Sequence, residues 1–416
     1  MDSKELYAVL LGVRTPWTVA AVEMNVAKQE VVVTVAHPAG TRFCCPQCER
    51  ELAVFDHLAE RRWRHLDSCQ FMTYLQARPP RVHCPEHGKR AVALPWVEGD
   101  SRFTTMFEAF AIEVLLATHV KSAAALLRIT WAEAWHLMER AVIRGRAAKA
   151  PAVPEHIGID EKAIAKGHQY MTIVSDLDAA VVEYIGEERK ETTLAAYYDA
   201  FTEEQRAGIK AVSMDMWPPY INATQVAVPG ADTKIVFDRF HIMQHVLGAL
   251  DRVRRKENKA LLAAGDSTLV RSKYLWLRTA QNLSDEAQSR ITPLMDSSLK
   301  TARAWAMKES LRTWWNYRSR GRAARFWKRW YFWATHSRLR PMIEAARLIQ
   351  RHIANVLTYF THRITNAVAE GLNSKIATIQ KRACGFRNRD HFKIAVYFHC
   401  GGLNLMPQRA TPTKVG

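Results

Sequence analysis

The sequence predicts a multidomain chain combining α+β and α/β parts. Three observations carry that reading. Cysteine-proline knuckles crowd one early segment, and short β-like runs alternating with helices begin near residue 153. A basic, tryptophan-rich helical stretch then separates that alternation from a last helix bearing a carboxylate. The chain has 416 residues, enough for several cores. Its 48% hydrophobic and 24% charged content is ordinary for a globular protein, but its net charge of +18 is not. Such an excess favours a polyanionic partner, nucleic acid first and anionic membrane second. No run approaches the roughly 18 apolar residues of a membrane span. The start, "MDSKELYAVLLGV", lacks a basic lead and a cleavage site, so a cytoplasmic protein with no membrane partner is expected.

Residues 1–98 read as a β-rich module. "VEMNVAKQEVVVTVAH" alternates as strands do. Five of the seven cysteines fall between Cys44 and Cys84, a clustering that favours metal ligation over disulfides. Cys45-Pro-Gln-Cys48 and Cys84-Pro-Glu-His87 are two knuckles whose spacing lets Cys45, Cys48, Cys84 and His87 reach one tetrahedral ion. A structural Zn2+ site is expected there, with Cys44, Cys69 and His83 as alternative ligands. Free or buried thiols are the plainer reading.

Residues 99–150 read as helical. "SAAALLRITWAEAWHLMERAVIRGR" holds a short helix from Ser122 to Arg128, a turn at Ile129-Thr130 and a longer helix from Trp131. Thr130 and Glu133 have capping-box spacing. So short a turn matches a helix-turn-helix, with Arg128, Trp131, Arg140 and Arg144 as candidate DNA contacts; an ordinary helical hairpin is the alternative. "AKAPAVPEH" marks a boundary.

In residues 151–250, "HIGIDEKAI", "YMTIVSDLD" and "AVVEYIGEE" read as antiparallel strands joined by turns at Lys166-Gly167 and Asp176 to Asp178. "TTLAAYYDAFTEEQRAGI" reads as one helix capped by Thr192 or Thr193. "KAVSMD" and "TKIVFD" read as further strands leading into helices. A mixed sheet with helices on its faces follows. Asp160 and Asp215 each read as the end of an apolar strand, where α/β sheets gather their ligands. Asp238 and His241, in "FDRFH", lie beside them as accessory candidates. Glu161 should face the opposite way by strand alternation, and Asp176 and Asp178 should shape their turn.

Residues 251–360 are helical and basic. Between Lys300 and Arg340 stand twelve Lys or Arg, one acid and six of the thirteen tryptophans. In "RGRAARFWKRWYFW", Arg320, Arg322, Arg325, Lys328 and Arg329 interleave with aromatics, a pattern that suits phosphate neutralisation and base stacking. An aromatic bundle core with a solvated basic face explains the same residues. Residues 361–416 hold a helix from about Thr365 to Phe386 carrying Glu370, with Asn366, Lys375, Lys381 and Arg382 as candidate substrate contacts. Three carboxylates could hold two Mg2+ about 3.5–4 Å apart, although a strand-end Asp is often only a turn former.

"GIDEKAIAKGHQYMTIVSDLD", "VSMDMWPPYINA", "IVFDRFHIMQHV" and "ITNAVAEGLNSKIATIQKRACGFRN" resemble, in order, the signature blocks of the ISL3 group of bacterial insertion-sequence transposases. The resemblance implies a DDE enzyme with an RNase H-like core interrupted by a helical insertion and preceded by a zinc finger and a helix-turn-helix. Carried over, its triad falls on Asp160, Asp215 and Glu370, with Mg2+, or Mn2+, as the catalytic ions. It further implies binding of double-stranded terminal inverted repeats and target DNA, self-association at least as a dimer on DNA, and a nucleoid-associated protein. A non-catalytic zinc-finger/helix-turn-helix derivative and a structure-selective nuclease are the competing expectations. Mg2+-dependent nicking, with Asp160→Ala as control, separates the first of these.

Overall fold

A computed structural model of the chain describes residues 2–165, 169–364 and 367–407. The chain divides into two compact units. The first runs to Lys149 and takes in the chain again from Leu403; the second is Ala150–Gly402.

The first unit opens with helix α1 (Ser3–Leu10), where the composition predicts a β-rich lead. Asp2 and Glu5 form a capping box there, which satisfies amides left open at the helix start. Strands β1 (Thr18–Asn25), β2 (Glu30–Ala36), β3 (Arg42–Cys44), β4 (Glu51–His57), β5 (Arg61–Ser68), β6 (Phe71–Ala77), β7 (Pro80–Cys84) and β8 (Gly88–Ala91) follow. They form two sheets, in the orders β1-β2-β6-β5 and β3-β4-β7-β8. Trp17, Val31, Val33, Trp63, Leu75, Val82 and Trp96 share one buried core. Helices α2 (Thr105–Ala117), α3 (Val120–Leu127) and α4 (Trp131–Ala148) complete the unit. Arg128 ends α3 in the left-handed region, and the expected Thr130/Glu133 capping box starts α4.

In the second unit, β9 (His156–Ala165), β10 (Gln169–Asp176), β11 (Val181–Glu187), β12 (Ala211–Met214) and β13 (Ile235–Phe237) form a sheet in the order β11-β10-β9-β12-β13. The first three are antiparallel neighbours, while β12 runs parallel to β9 and β13 parallel to β12. Asp176 accepts the amides of Asp178 and Ala179, closing its turn. The Lys166-Gly167 turn lies outside the described residues. The expected single helix after β11 is instead two, α5 (Glu191–Tyr198) and α6 (Glu203–Ala207). Thr193 does not cap; its hydroxyl donates to the Glu187 carbonyl, and a Thr202/Gln205 capping box starts a new helix.

Helices α7 (Pro218–Ala227) and α8 (Ala231–Lys234) lead into β13, and α9 (Arg239–Ala263) leaves it. Beyond α9 come α10 (Lys273–Leu277), α11 (Asp285–Met295), α12 (Lys300–Trp314), α13 (Arg320–Thr335), α14 (Arg340–Arg351), α15 (Ile353–Leu357) and α16 (Tyr359–His362). Both α12 and α14 pack on α9. Trp314, Trp315, Trp327 and Trp330 are buried in one core continuous with that of the sheet, whereas Trp333 is exposed. Helix α17 (Ala367–Arg382) stops before Cys384 and Gly385, both at positive φ. A helix not expected from sequence, α18 (Arg389–Cys400), follows an Asn388 cap. Its Tyr397 hydroxyl accepts the Ile185 amide of β11.

Candidate functional site

Strand register assembles the acidic centre. Strand β12 meets β9 at Ser213↔Gly158, and β13 meets β12 at Met214↔Phe237. Carried onward, those registers set Asp215 level with Asp160, and Asp238 level with Asp215. The Asp238 amide donating to the Met214 carbonyl continues the same pattern. Side chains level with one another on parallel strands share a face, and adjacent strands lie about 4.8 Å apart. Asp160 does not end its strand as expected, because β9 runs on to Ala165. It stands level with the position where its parallel neighbour β12 stops.

Each carboxylate is held by local amides. Asp160 accepts the Glu161 amide at 2.8 Å and the Asn373 side-chain amide at 2.6 Å. Asp215 accepts the Met216 amide at 2.6 Å. Asp238 is buried and caps α9 through the Phe240 amide at 3.0 Å. The other Asp238 oxygen is buried without an aligned hydrogen bond; His241 Nδ1 lies 3.4 Å away in an ionic contact.

Burial pushes Asp160 up to about 6. The Glu161 amide and the His241 charge oppose that rise, and the Asp238 and Glu161 charges add to it. Contact with Asp238 lifts His241 to about 9 against its burial, helped by the fields of Asp215, Asp238 and Asp160. His241 is therefore the cation of the acidic row. Glu161 is committed to Arg189, which stacks on Tyr170 and Trp217.

Glu370 is exposed in the first turn of α17. That helix lies against β9: Asn373, one turn beyond Glu370, binds Asp160, and Lys162 Nζ donates to the Asn373 carbonyl at 3.1 Å. Asn366 lies outside the described residues. Sequence reasoning notes that Asn366 and Asn373 flank Glu370 but gives a role only to Asn366; the position of Asn373 one turn after Glu370 is the available signal. Among the described residues, the carboxylates of Asp160, Asp215 and Glu370 are not all gathered within 4.8 Å, as the knuckle ligands are. The acidic donor set is hard oxygen throughout, and beside it Asp238 keeps one buried oxygen free of hydrogen bonds, facing His241. The set fits a hard divalent cation.

The first unit places the knuckle residues together. Cys45, Cys48, Cys84 and His87 have ligand atoms all within 4.8 Å of one another. Cys48 and Cys84 sulfurs are 3.6 Å apart, and His87 Nδ1 is 3.5 Å from Cys84 and 3.9 Å from Cys45. Sulfur ligands at about 2.3 Å from a tetrahedral zinc stand about 3.8 Å apart, so the quartet fits that ion. Burial pushes the Cys84 thiol up, but the His87 ring and the amides of Glu86 and His87 outweigh it and hold the thiol at about 6. A thiol so lowered is ready to ligate. Cys44 and Cys69 are exposed, and the His83 ring packs edge-on against Phe55.

The basic candidates divide by environment. Arg140 and Arg144 turn inward, against the expectation of a DNA face: both pair with the buried Glu108, and Arg144 also donates to the Leu405 carbonyl. Arg128 pairs with Asp67. Trp131 is exposed at the start of α4 and stacks on Trp135. Arg320, Arg322, Arg325, Lys328 and Arg329 lie on the outer side of α13 while Trp327 and Trp330 are buried. Arg322, Arg325, Lys328 and Arg329 line a concavity of about 560 Å³ with Tyr317. Lys375, Lys381 and Arg382 are exposed on α17.

Comparison with known families gives one result for each region. A transposase family profile, the DDE domain of the ISL3 group, matches residues 157–396. A zinc-finger profile of the IS204/IS1001/IS1096/IS1165 transposases matches residues 41–87, and a helix-turn-helix profile of transposase family ISL3 matches residues 92–142. The chain is 25% identical to the transposase for insertion sequence element IS1001 of Bordetella parapertussis, covering 86% of this chain and 89% of that one. It is 26% identical to the transposase for insertion sequence element IS1557 of Mycobacterium tuberculosis, covering 93% of each. No helix among the described residues is long and apolar enough to cross a membrane.

Proposed function

Because this chain belongs to the ISL3 family of DDE transposases, we propose that Asp160, Asp215 and Glu370 are its catalytic triad, acting on the ends of an insertion sequence. The enzyme is a DDE-type transposase whose domain implies a divalent metal, and its helix-turn-helix implies DNA binding. The observation that carries the assignment of residues is the register of β9, β12 and β13, which brings Asp160 and Asp215 level on adjacent strands. Antiparallel β9 to β11 followed by parallel β12 and β13 supports an RNase H-like core, and α10 to α16 its helical insertion.

In this reading Asp160, Asp215 and Glu370 would hold two Mg2+, or Mn2+, which would supply activation of the attacking oxygen and charge neutralisation at the leaving oxygen of the phosphodiester. The chain's own residues set the stage. Asn373 and the Glu161 amide fix the Asp160 carboxylate, so its lone pairs are aimed before any ion arrives. His241, charged beside Asp238, tempers repulsion along the acidic row. The exposed cations of α13 and α17 hold the backbone of the terminal inverted repeat or of target DNA, since clustered Arg and Lys displace counterions from phosphates. Pairing two element ends calls for two copies of the chain on DNA. Zinc at the knuckles stabilises the finger beside the helix-turn-helix.

The test is a nicking and strand-transfer assay on a duplex bearing the element end, with Mg2+. Asp160→Ala, Asp215→Ala and Glu370→Ala should each abolish cleavage while end binding persists. Cleavage retained by any one of them removes that residue from the triad.

A further inference from the structure

We propose that an arginine-lined concavity in the first unit, where β5 meets the turn before α4, binds a backbone phosphate of the duplex engaged by the helix-turn-helix. The proposal rests on the DNA-end reading above and assigns a contact outside the two helices. The concavity, of about 430 Å³, is lined by Arg61, Arg62, Arg64, Arg102, Arg128 and Tyr74 among others.

Arg64 is its floor. It is only 6% exposed, yet its Nε has no hydrogen-bond partner. Its Nη1 donates to the His65 carbonyl, and its guanidinium packs over Tyr74 and Phe107. The backbone of Arg64 exchanges hydrogen bonds with Arg102 and Thr104, at 2.9 and 3.0 Å, which brings Arg102 to the rim. Arg128, at positive φ in the helix-turn-helix turn, supplies the opposite wall. Compensation is thin. A single Asp67 carboxylate is shared by Arg64 and Arg128. Arg61 lies 4.0 Å from the fully exposed Asp100, and Arg62 holds only the neutral Gln76. Glu133, also on the wall, is occupied by the Thr130 amide and hydroxyl.

With Asp67, Glu133 and the more distant Asp100 all counted, five guanidinium groups still leave an excess of positive charge that calls for an anion, and Arg forks match the oxygens of a phosphodiester. The partner is DNA because the wall residue Arg128 stands in the turn that leads into α4, three residues before Trp131. A recognition helix inserted by that end brings flanking phosphates against whatever adjoins it. Such contacts position the helix and read no sequence.

The measurement is fluorescence anisotropy of the full, zinc-loaded chain with two 30-base-pair duplexes, the element end and a scrambled sequence, across a salt series. An Arg62→Gln/Arg102→Gln double variant changes two rim residues and leaves Arg64 in place. Its affinity should fall about tenfold for both duplexes, and its plot of log affinity against log salt should flatten by about 0.9 for each phosphate no longer held. Asp67→Asn, which removes the shared counter-charge, should tighten both duplexes. An unchanged affinity and slope in the double variant overturns the proposal, as does a loss confined to the element end. Micromolar binding of inorganic phosphate, with duplex affinity unaltered in the double variant, would make this a free-anion site and also overturns it. Equal wild-type affinity for the two duplexes would count against end recognition, whereas the scrambled duplex tests the concavity alone.

Discussion

Asn373 shows how one amide governs a carboxylate. It fixes one Asp160 oxygen at 2.6 Å from a helix far along the chain. Asn373→Ala should weaken cation affinity or turnover by about 10- to 100-fold, as loss of a ligand's supporting hydrogen bond does. Nicking rates across a Mg2+ titration measure it, and an unchanged midpoint and rate would end that role. Asp160 makes a second prediction. Its folded pKa of about 6 stands above the ordinary 3.8, so the fold favours the protonated form. Between those values the folded state binds more protons than the unfolded one, and stability falls as pH rises through about 6. The cation-free stability should therefore fall by up to about 3 kcal/mol between pH 4 and pH 7.5 through this group, and Asp160→Ala should remove that part of the pH dependence of the melting temperature. An unchanged pH dependence in the variant would contradict it. Asp160 is legible because a carboxylate interrupts an apolar run. Asn373 is not, because its partner is distant in sequence and only packing joins them.

Helices and knuckles are legible wherever the signal is local. Thr130 with Glu133 marks the start of α4, and the two Cys-Pro turns mark the four residues that the fold gathers and that would hold zinc. Caps of the same kind start α1, at Asp2 and Glu5, and α18, at Asn388, but sequence reasoning missed both helices because β-like or tail composition surrounds them. The break between α5 and α6 is hidden because the apolar spacing runs on while the Thr202 box starts afresh. Thr130→Ala should cost about 1 kcal/mol of first-unit stability, read as a lower unfolding midpoint; no change would mean that the box is idle. Chelating zinc, or changing Cys48 to Ser, should unfold the β3-β4 and β7-β8 hairpins. Their circular dichroism and end affinity should fall together, since ligand binding supplies folding free energy to so small a module. Retained affinity in the zinc-free chain would contradict this.

For the whole molecule, the +18 balance tells of a polyanionic partner but not which face meets it. Arginines 140 and 144 look the part in sequence and serve Glu108 in the fold, whereas the α13 cations stand clear of a tryptophan core. Periodicity alone cannot divide those roles, because charge on a helix reads the same whether it meets water, a carboxylate or a phosphate. Arg325→Glu/Arg329→Glu should lower duplex affinity and flatten its salt dependence by about two phosphates' worth; a salt profile like the wild type's would remove α13 from the interface. Helix α9 has a wider consequence. Its 25 residues make a strut of about 37 Å, close to the length of one turn of B-form duplex. Asp238 is its first rung, and the arginine-bearing bundle is braced along its flank. If the acidic row cuts and the bundle's cations grip, as proposed above, both are tied to this one helix, and bending it should misplace the cut without loosening the grip.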